Sequence, residues 1–218
     1  IYGESFKIIK KTSKWIKIRI KEDGYTGYVK NKRFISYLKP THKVSVLSAT
    51  IYKNSNYNMK IGKLSYVSKI KVEKITSKFS KFQNKWIETK NIKPIKYINK
   101  NIFKDIEVFK GTKYKWGGKT FTGIDCSALI QVCLNFNNKF CPRDTGKQAK
   151  FFKKNISLNN IKKNDIIYWK GHVALALSTK KLIHAYGPRK KVLIMDVKKT
   201  VELIKKTANL KVTAVKRI

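Results

Sequence analysis

Few acidic residues, few cysteines and no long apolar run are the first features of this chain. Only 12 Asp and Glu stand against 51 Lys and Arg in 218 residues, which gives a net charge of +39. No stretch of about 18 consecutive apolar residues occurs, so the sequence predicts no membrane-spanning helix. Hydrophobic residues make up 42% of the chain, enough for packed cores. Its length favours one large domain or two to three small ones.

The number and spacing of the cysteines argue against a disulfide framework and against a zinc site. Cys126, Cys133 and Cys141 are an odd number in a long chain, which is not typical of a disulfide framework. On one helix Cys126 and Cys133 are about 10.5 Å apart, too far for a disulfide. Neither Cys-x-x-Cys nor His-Glu-x-x-His spacing occurs, which disfavours a zinc site. We therefore expect no metal and no other cofactor.

The excess of positive charge suits an anionic partner such as nucleic acid, a membrane surface or a wall polymer. The basic residues are nearly all lysine, however, and they are spread along the whole chain. Nucleic-acid-binding surfaces are usually clustered, so nucleic acid is disfavoured. Lys, Ile and Asn all have codons rich in A and T. A genome of biased base composition therefore accounts for the charge without any selected partner.

Short segments that alternate apolar and polar residues fill the first 96 residues. This pattern is typical of β-strands, and we predict two small all-β barrels, residues 1–39 and residues 40–96. The predicted strands of the first barrel are residues 6–9, 15–20 and 25–29, with a turn at residues 22–24.

A part of the first barrel resembles the bacterial SH3-like wall-binding domains, in which a Gly-Tyr-x-Gly-Tyr-Val strand follows a Trp strand. Here Trp15 is followed by Gly24-Tyr25-Thr26-Gly27-Tyr28-Val29. The opening strand of that pattern is missing, so we expect the chain to begin inside a domain. The second copy is degenerate and keeps Trp86 as its best match. Trp15, Tyr25 and Tyr28 either pack within the barrel or contact a ligand; the sequence leaves both open.

The sequence pattern of residues 97–218 differs from that of the first 96 residues. It predicts an α+β fold, in which helices come first and an antiparallel meander follows. The chain after Val197 carries no motif that we can interpret. The predicted helices cover residues 98–109, residues 126–135 and a segment that begins at Asp144 or Thr145. The predicted strands cover residues 166–169, 172–178, 182–185 and 192–197.

Cys126 follows a glycine-containing turn and is the first residue of the second predicted helix. A thiol with a pKa of about 8.5 is a poor nucleophile at neutral pH, but a helix N-terminus stabilises the thiolate and its free N–H groups can hold an oxyanion. His172 would pair with Cys126 as thiolate and imidazolium, and would then protonate a leaving amine. His184 would hydrogen-bond the other nitrogen of that imidazole. The alternative is a buried cysteine with two structural histidines.

Five motifs in this half of the chain together resemble the NlpC-type cell-wall peptidases, which are papain-like cysteine enzymes. The resemblance spans roughly residues 110–197 and keeps the order and spacing of the motifs. It implies a papain-like α+β catalytic domain over residues 97–218, with helices packed on an antiparallel sheet. The motifs are Trp116-Gly117-Gly118, Gly123-Ile124-Asp125-Cys126-Ser127, Arg143-Asp144-Thr145 with Gln148, Gly171-His172-Val173 and His184-Ala185.

The same resemblance implies roles for residues and a substrate. Cys126 would be the nucleophile, His172 the base and His184 the third polar member. The substrate would be the γ-D-glutamyl–diaminopimelate bond of peptidoglycan stem peptides or muropeptides, often with a free N-terminal L-Ala, in cell-wall turnover or recycling. A related amidase or acyltransferase activity and an inactive wall-binding module are the alternatives. The compartment stays open between the cell envelope and the cytoplasm.

Five further residues are implied to bind this substrate. Tyr114 and Asp125 would hold the free amine, and Ser127 and Arg143 would contact the carboxylates of the stem, with Trp116 nearby. Four of the five have a structural alternative. Tyr114 and Trp116 could pack under the glycine loop, Asp125 could be only a helix cap, and Arg143 could form a surface ion pair.

Overall fold

The computed structural model describes all 218 residues, and they form two compact units, Ile1–Ile98 and Asn99–Ile218. The first unit is built from strands and the second from helices packed on a sheet. None of the helices is both long enough and apolar enough to cross a membrane.

The first unit contains three antiparallel sheets, with strand orders β1-β2-β3, β6-β5-β10-β9-β8 and β11-β4-β7. It is the all-β SH3-like region that the sequence predicts. The predicted boundary between residues 1–39 and residues 40–96 falls inside this one compact unit, so that division stays a prediction. The strands are β1 (Phe6–Lys11), β2 (Trp15–Ile20), β3 (Thr26–Lys30), β4 (His42–Val44), β5 (Ser48–Tyr52), β6 (Lys60–Ser65), β7 (Lys69–Ile70), β8 (Lys74–Ile75), β9 (Phe79–Phe82), β10 (Lys85–Glu88) and β11 (Ile92–Pro94).

The sheet β1-β2-β3 turns its aromatic residues outward. Ile16 and Ile18 of β2 are buried, whereas Trp15 is 46% exposed and Tyr28 is 68% exposed. Because successive side chains of a strand point to opposite faces, burial of Ile16 and Ile18 leaves Trp15 on the other face. The Lys17 ammonium lies 5.9 Å from the centre of the Tyr28 ring. These aromatic side chains are therefore not part of the core.

A buried lysine stabilises the end of the first unit. Lys43 of β4 has no exposed surface, and its ammonium donates to the backbone carbonyls of Ile95 (3.0 Å) and Tyr97 (2.7 Å). Burial, together with the nearby charge of Lys69, lowers the pKa of Lys43 to about 8. Its long side chain thereby satisfies two carbonyl groups that follow β11.

The second unit is the predicted α+β fold. Its main sheet is antiparallel and has the order β14-β19-β15-β16-β17-β18, and α1 packs on β16 and β17. The four predicted strands of the meander are confirmed. The elements are β12 (Lys119–Thr120), β13 (Gly123–Ile124), α1 (Cys126–Phe136), α2 (Thr145–Phe151), β14 (Lys154–Asn155), β15 (Ile166–Trp169), β16 (His172–Ala176), β17 (Lys181–Tyr186), β18 (Lys191–Asp196), α3 (Val197–Ala208) and β19 (Val212–Arg217).

Helix α1 is buried along nearly its whole length, which explains why its sequence is so apolar. At its N-terminus the Asp125 side chain accepts from the Ala128 amide at 2.8 Å, a normal helix cap. At its C-terminus the Asn137 side chain donates to the carbonyls of Cys133 (2.8 Å) and Ile102 (2.9 Å). Both ends are thus fixed, and Cys126 has a defined position at the start.

The helix predicted over residues 98–109 is wrong. Only Ile106–Phe109 forms a short 3₁₀ turn, and the preceding residues form turns. Asn101 accepts from the Phe103 amide at 3.0 Å, and Asn99 donates to the Asp105 carboxylate at 2.8 Å. Asparagine side chains that bond to local groups compete with helical hydrogen bonds, and here they prevail.

The segment after Val197, in which the sequence showed no motif, forms α3 and β19. Asp196 caps α3 by accepting from the Lys199 amide at 3.1 Å. Strand β19 is inserted between β14 and β15. Arg217 at its end donates to both oxygens of the buried Asp165, each at 2.7 Å. Burial by itself raises the pKa of Asp165, but the hydrogen bonds from Arg217 and the Lys162 amide lower it overall.

Candidate active site

Cys126 is the first residue of α1 and lies beside a tight glycine turn. The turn is closed by a hydrogen bond from the Asp125 amide to the Gly118 carbonyl at 3.2 Å. A Cβ on Gly118 would lie 2.5 Å from the Gly123 carbonyl oxygen, so only glycine fits there. In the first helical turn the Ala128 amide donates to the Asp125 side chain, whereas the amides of Cys126 and Ser127 have no backbone acceptor within the helix and can stabilise a negative charge. Cys126 keeps 5% of its surface exposed.

The sulfur of Cys126 lies against the start of β16. The backbone amides of Val173 and Ser127 and the hydroxyl of Thr145 hydrogen-bond to it. Burial, and then the charge of Asp125, raise the pKa of the Cys126 thiol, and these three hydrogen bonds only partly offset that rise. Because Val173 directly follows His172, the contact brings the thiol to the strand end that carries the histidine.

His172 and His184 form a hydrogen-bonded pair. The Nε2 atom of His172 lies 2.9 Å from the Nδ1 atom of His184. His184 has no exposed surface. Burial lowers the pKa of His172 to about 4, and burial together with His172 lowers the pKa of His184 to about 3. Both rings are therefore neutral at neutral pH, and Nδ1 of His172 is the ring nitrogen that His184 does not occupy.

These pKa directions oppose the thiolate–imidazolium pair that the sequence predicts. A preformed pair needs a lowered cysteine pKa and a raised histidine pKa. Burial of Cys126 and His172 shifts each pKa the other way. Burial therefore favours the neutral thiol of Cys126 and the neutral imidazoles of His172 and His184 in the free protein.

Asp125 connects three of the predicted binding residues in one network. Its Oδ1 accepts from the Ala128 amide (2.8 Å), the Ser127 hydroxyl (3.1 Å) and Nη1 of Arg143 (2.9 Å). Its Oδ2 accepts from the Gly117 amide (2.9 Å) and from Nη2 of Arg143. Arg143 also donates to the Ser127 hydroxyl at 2.9 Å and is only 6% exposed. Asp125 is thus more than a helix cap, and Arg143 is not a surface residue.

Tyr114 and Trp116 have different environments. Tyr114 is half-buried, and its ring lies 3.5 Å from the position that a Cβ on Gly187 would occupy. Burial, and then the proximity of Cys126 and Asp125, raise its pKa to about 12. Trp116, in contrast, is 82% exposed, so it does not pack under the glycine loop.

Two residues at the site, Tyr186 and Met195, were missed by the sequence reasoning, and Thr145 was quoted there only as part of a motif and as a helix start. The Tyr186 ring stacks on His184 with centroids 4.7 Å apart and planes at 9°. The Met195 sulfur lies 3.3 Å from Nε2 of His184. Tyr186 follows His184 by two positions, so strand periodicity places both on one face and offers a signal. Met195 offers none, because its neighbourhood depends on the pairing of β17 with β18.

The remaining candidates for chemistry lie elsewhere or are absent. Cys133 and Cys141 are free thiols with at most 1% of their surface exposed. No group of three or more His, Cys, Asp or Glu side chains is arranged to hold a metal ion.

Known proteins are similar to this chain in both sequence and fold. Residues 111–209, which contain the whole site described above, match the NlpC/P60 family. Residues 111–209 therefore form an NlpC/P60-like domain within the second unit. Residues 1–33 match the bacterial dipeptidyl-peptidase SH3 domain.

Two curated relatives extend beyond the aligned regions. Dipeptidyl-peptidase 6 of Lysinibacillus sphaericus is 27% identical over 162 residues, which cover 72% of this chain and 60% of that protein. The murein DD-endopeptidase MepS/murein LD-carboxypeptidase of Escherichia coli strain K12 is 31% identical over 85 residues, 35% of this chain and 44% of that protein. The chain therefore spans 60% or less of the length of these relatives.

A solved structure shares the fold of the NlpC/P60-like domain and of the strands before it. An NlpC/P60 family protein from Bacillus cereus ATCC 10987 matches with a TM-score of 0.84 at 19% identity. The match covers 100% of this chain and 80% of the other. At this identity the likeness concerns the fold only.

Proposed function

We propose that this chain is a cysteine peptidase that hydrolyses the γ-D-glutamyl–diaminopimelate bond of peptidoglycan stem peptides. One observation carries the proposal. The Cys126 sulfur lies at the start of α1 and accepts from the amide of Val173, the residue that follows His172. Nε2 of His172 lies 2.9 Å from Nδ1 of His184. The names of the relatives, a dipeptidyl-peptidase and a murein peptidase, support the same class of reaction.

The reaction begins with a neutral thiol. As the Cys126 sulfur attacks the γ-glutamyl carbonyl carbon, the S–H bond breaks, Nδ1 of His172 takes the proton, and a C–S bond forms. The carbonyl oxygen becomes an oxyanion, which the backbone N–H groups at the start of α1 other than that of Ala128 stabilise. The His172 imidazolium then protonates the leaving amine of diaminopimelate as the C–N bond breaks. Water then attacks the thioester carbonyl carbon while Nδ1 of His172 takes one of its protons, and a C–O bond forms. As the C–S bond breaks, His172 returns the proton to the Cys126 sulfur and the γ-glutamyl acid is released.

Charged groups next to the thiol fit the two ends of such a substrate. Arg143 and Ser127, both fixed by Asp125, are the groups that would contact a stem carboxylate. The free L-Ala amine would bind at the Tyr114 hydroxyl and Asp125. Because Asp125 already accepts five hydrogen bonds, the ammonium shares that carboxylate with Arg143 rather than binding to a vacant oxygen. The exposed Trp116 ring offers an apolar surface for the rest of the stem.

Defined peptides test this proposal. The substrate is L-Ala-γ-D-Glu-diaminopimelate with a free or an acetylated amine, and the enzymes are the parent protein, Cys126→Ala and the matched control Cys133→Ala. We expect the parent and the control to release diaminopimelate from the free peptide, the acetylated peptide to react at least about tenfold more slowly because it lacks a charged partner for Asp125, and Cys126→Ala to be inactive.

The outcomes separate the parts of the proposal. Equal cleavage of both peptides would show that Tyr114 and Asp125 do not recognise the amine, but it would leave the peptidase proposal intact. Full activity of Cys126→Ala would show that Cys126 is not the nucleophile. If neither peptide is cleaved, the proposed bond is wrong, and intact murein sacculi and muropeptide amides are the substrates that would reveal another bond cut by the same thiol.

A further inference from the structure

His184 is held by a partner at each ring nitrogen and by a stacked ring. Its Nδ1 lies 2.9 Å from Nε2 of His172, and its Nε2 lies 3.3 Å from the sulfur of Met195. Tyr186 stacks on one face of the ring, and no part of His184 is exposed. The neighbouring side chains, rather than solvent water, therefore determine which ring nitrogen of His184 carries the proton.

Met195 restricts that position to one nitrogen. A thioether sulfur has lone pairs but no hydrogen, so it accepts a hydrogen bond and never donates one. The contact at 3.3 Å is favourable when Nε2 of His184 carries the proton, and it sets two lone pairs against each other when Nε2 is bare. The low pKa of His184 keeps the ring neutral, with a single N–H. Its Nδ1 is then an acceptor.

The same constraint extends to His172. Since Nδ1 of His184 accepts, the proton between the two rings belongs to Nε2 of His172. A neutral His172 with its proton on Nε2 has a bare Nδ1, the form that can take a proton from a thiol. In the opposite arrangement Nδ1 of His172 carries the proton and cannot act as a base.

We propose that Met195 is a positioning residue that fixes the tautomers of His184 and His172 and so leaves Nδ1 of His172 as the base for Cys126. Met195 touches neither the substrate nor the reacting atoms. The catalytic consequence rests on the proposed peptidase function, whereas the tautomers themselves do not. Strand pairing places Met195 for this task. His184 lies opposite Leu193, and Met195 is two residues further along β18 and diagonal to His184 on the same face.

The test compares two matched variants, because the chain has only two methionines. Met195→Leu keeps the apolar volume and removes the acceptor. Met59→Leu changes the other methionine, which is 44% exposed in the first unit. Each 218-residue protein is labelled with ¹⁵N-histidine, and long-range ¹H–¹⁵N spectra at neutral pH give the tautomer of each ring. The signals of the three histidines are assigned with His42→Asn and His172→Asn.

We expect His184 and His172 both to carry the proton on Nε2 in the parent and in Met59→Leu. Met195→Leu should populate the Nδ1–H form of both rings, and its kcat/KM should fall about two- to tenfold with little change in KM, the range expected for one weak hydrogen bond. A proton on Nδ1 of His184 in the parent would overturn the proposal. So would unchanged tautomers in Met195→Leu. If no stem peptide is cleaved by the parent, the peptidase proposal fails while the spectra still decide the role of Met195.

Discussion

The ring of Tyr186 lies parallel to that of His184, with centroids 4.7 Å apart and an angle of 9° between the planes. A stacked ring fixes the plane of an imidazole without using either of its nitrogens. It thereby fixes the direction in which Nδ1 of His184 faces His172. The pair of histidines is thus oriented by packing as well as by hydrogen bonds.

Replacement of Tyr186 by leucine is expected to lower kcat for the stem peptide about two- to tenfold, because an aromatic pair contributes about 0.5–1.5 kcal/mol beyond its buried area. Tyr186→Phe keeps the ring and serves as the control, with kcat close to that of the parent. Steady-state kinetics on both variants, with circular dichroism to check folding, make the comparison. Equal losses in both would show that the hydroxyl, and not the stacking, matters.

The raised pKa of Cys126 predicts slow alkylation at neutral pH. Iodoacetamide reacts with the thiolate, so the rate should rise about tenfold per pH unit and continue to rise above the pKa of about 8.5 of an ordinary thiol. Peptide mass mapping of the modified protein measures this rate at each residue. The buried Cys133 and Cys141 are internal controls that stay unmodified while the protein is folded. A rate that is already constant below neutral pH would instead reveal a preformed thiolate.

The two neutral histidines predict a loss of stability in mild acid. The pKa values of His172 and His184 fall from about 6.5 in the unfolded chain to about 4 and about 3 in the folded protein. Below the unfolded value the unfolded chain binds more protons, so the free energy of unfolding decreases as the pH falls from about 6.5 and levels off below about 3. The slope is at most about 1.4 kcal/mol per pH unit for each histidine.

Urea unfolding at several pH values measures that slope. His172→Asn should reduce it, since one titrating ring is gone. The Asp165 carboxylate, whose pKa is lowered, acts in a more acidic range and does not mask the effect. A free energy of unfolding that stays constant between about pH 6.5 and about pH 5 would contradict the low histidine pKa values.

Two glycines of the second unit are predicted to respond oppositely to alanine. At Gly118 a new Cβ would lie 2.5 Å from the Gly123 carbonyl oxygen and 2.9 Å from that of Lys115, and backbone atoms cannot move aside cheaply. We expect Gly118→Ala to cost about 1–3 kcal/mol and to reduce activity, since the turn holds the cap of α1. At Gly146, within α2, a Cβ meets nothing within 4 Å.

Gly146→Ala is therefore expected to stabilise the protein by about 0.5–1 kcal/mol, as alanine restricts the unfolded chain and favours the helix. Thermal and urea unfolding of the two variants side by side provide the measurement. Similar destabilisation at both positions would mean that the space around Gly118 is not the cause.

Local features of the sequence were sufficient to predict helix α1 and the meander. Asp125 as a cap followed by apolar residues at helical spacing predicts α1, and short β-like segments predict β15 to β18. The helix predicted over residues 98–109 failed for an equally local reason. Asn99 and Asn101 supply hydrogen bonds that a count of apolar positions does not register.

The electrostatics of the site depended on information that a sequence does not hold. Whether Cys126 and His172 form an ion pair is decided by how deeply both are buried, and burial is a property of the assembled sheet and helices. The contact of Met195 with His184 likewise follows from the register of two strands, in which a shift of one residue would turn Met195 to the other face.

Because Lys43 is buried, its chemical modification can report the opening of the first unit. On a surface covered with reactive amines, an acylating reagent modifies most lysines at once, but this ammonium is enclosed and bonded to the carbonyls of Ile95 and Tyr97. Modification of Lys43 therefore has to wait for that unit to open. The time course of that one acylation, followed by mass spectrometry, reports how often the strands around it separate.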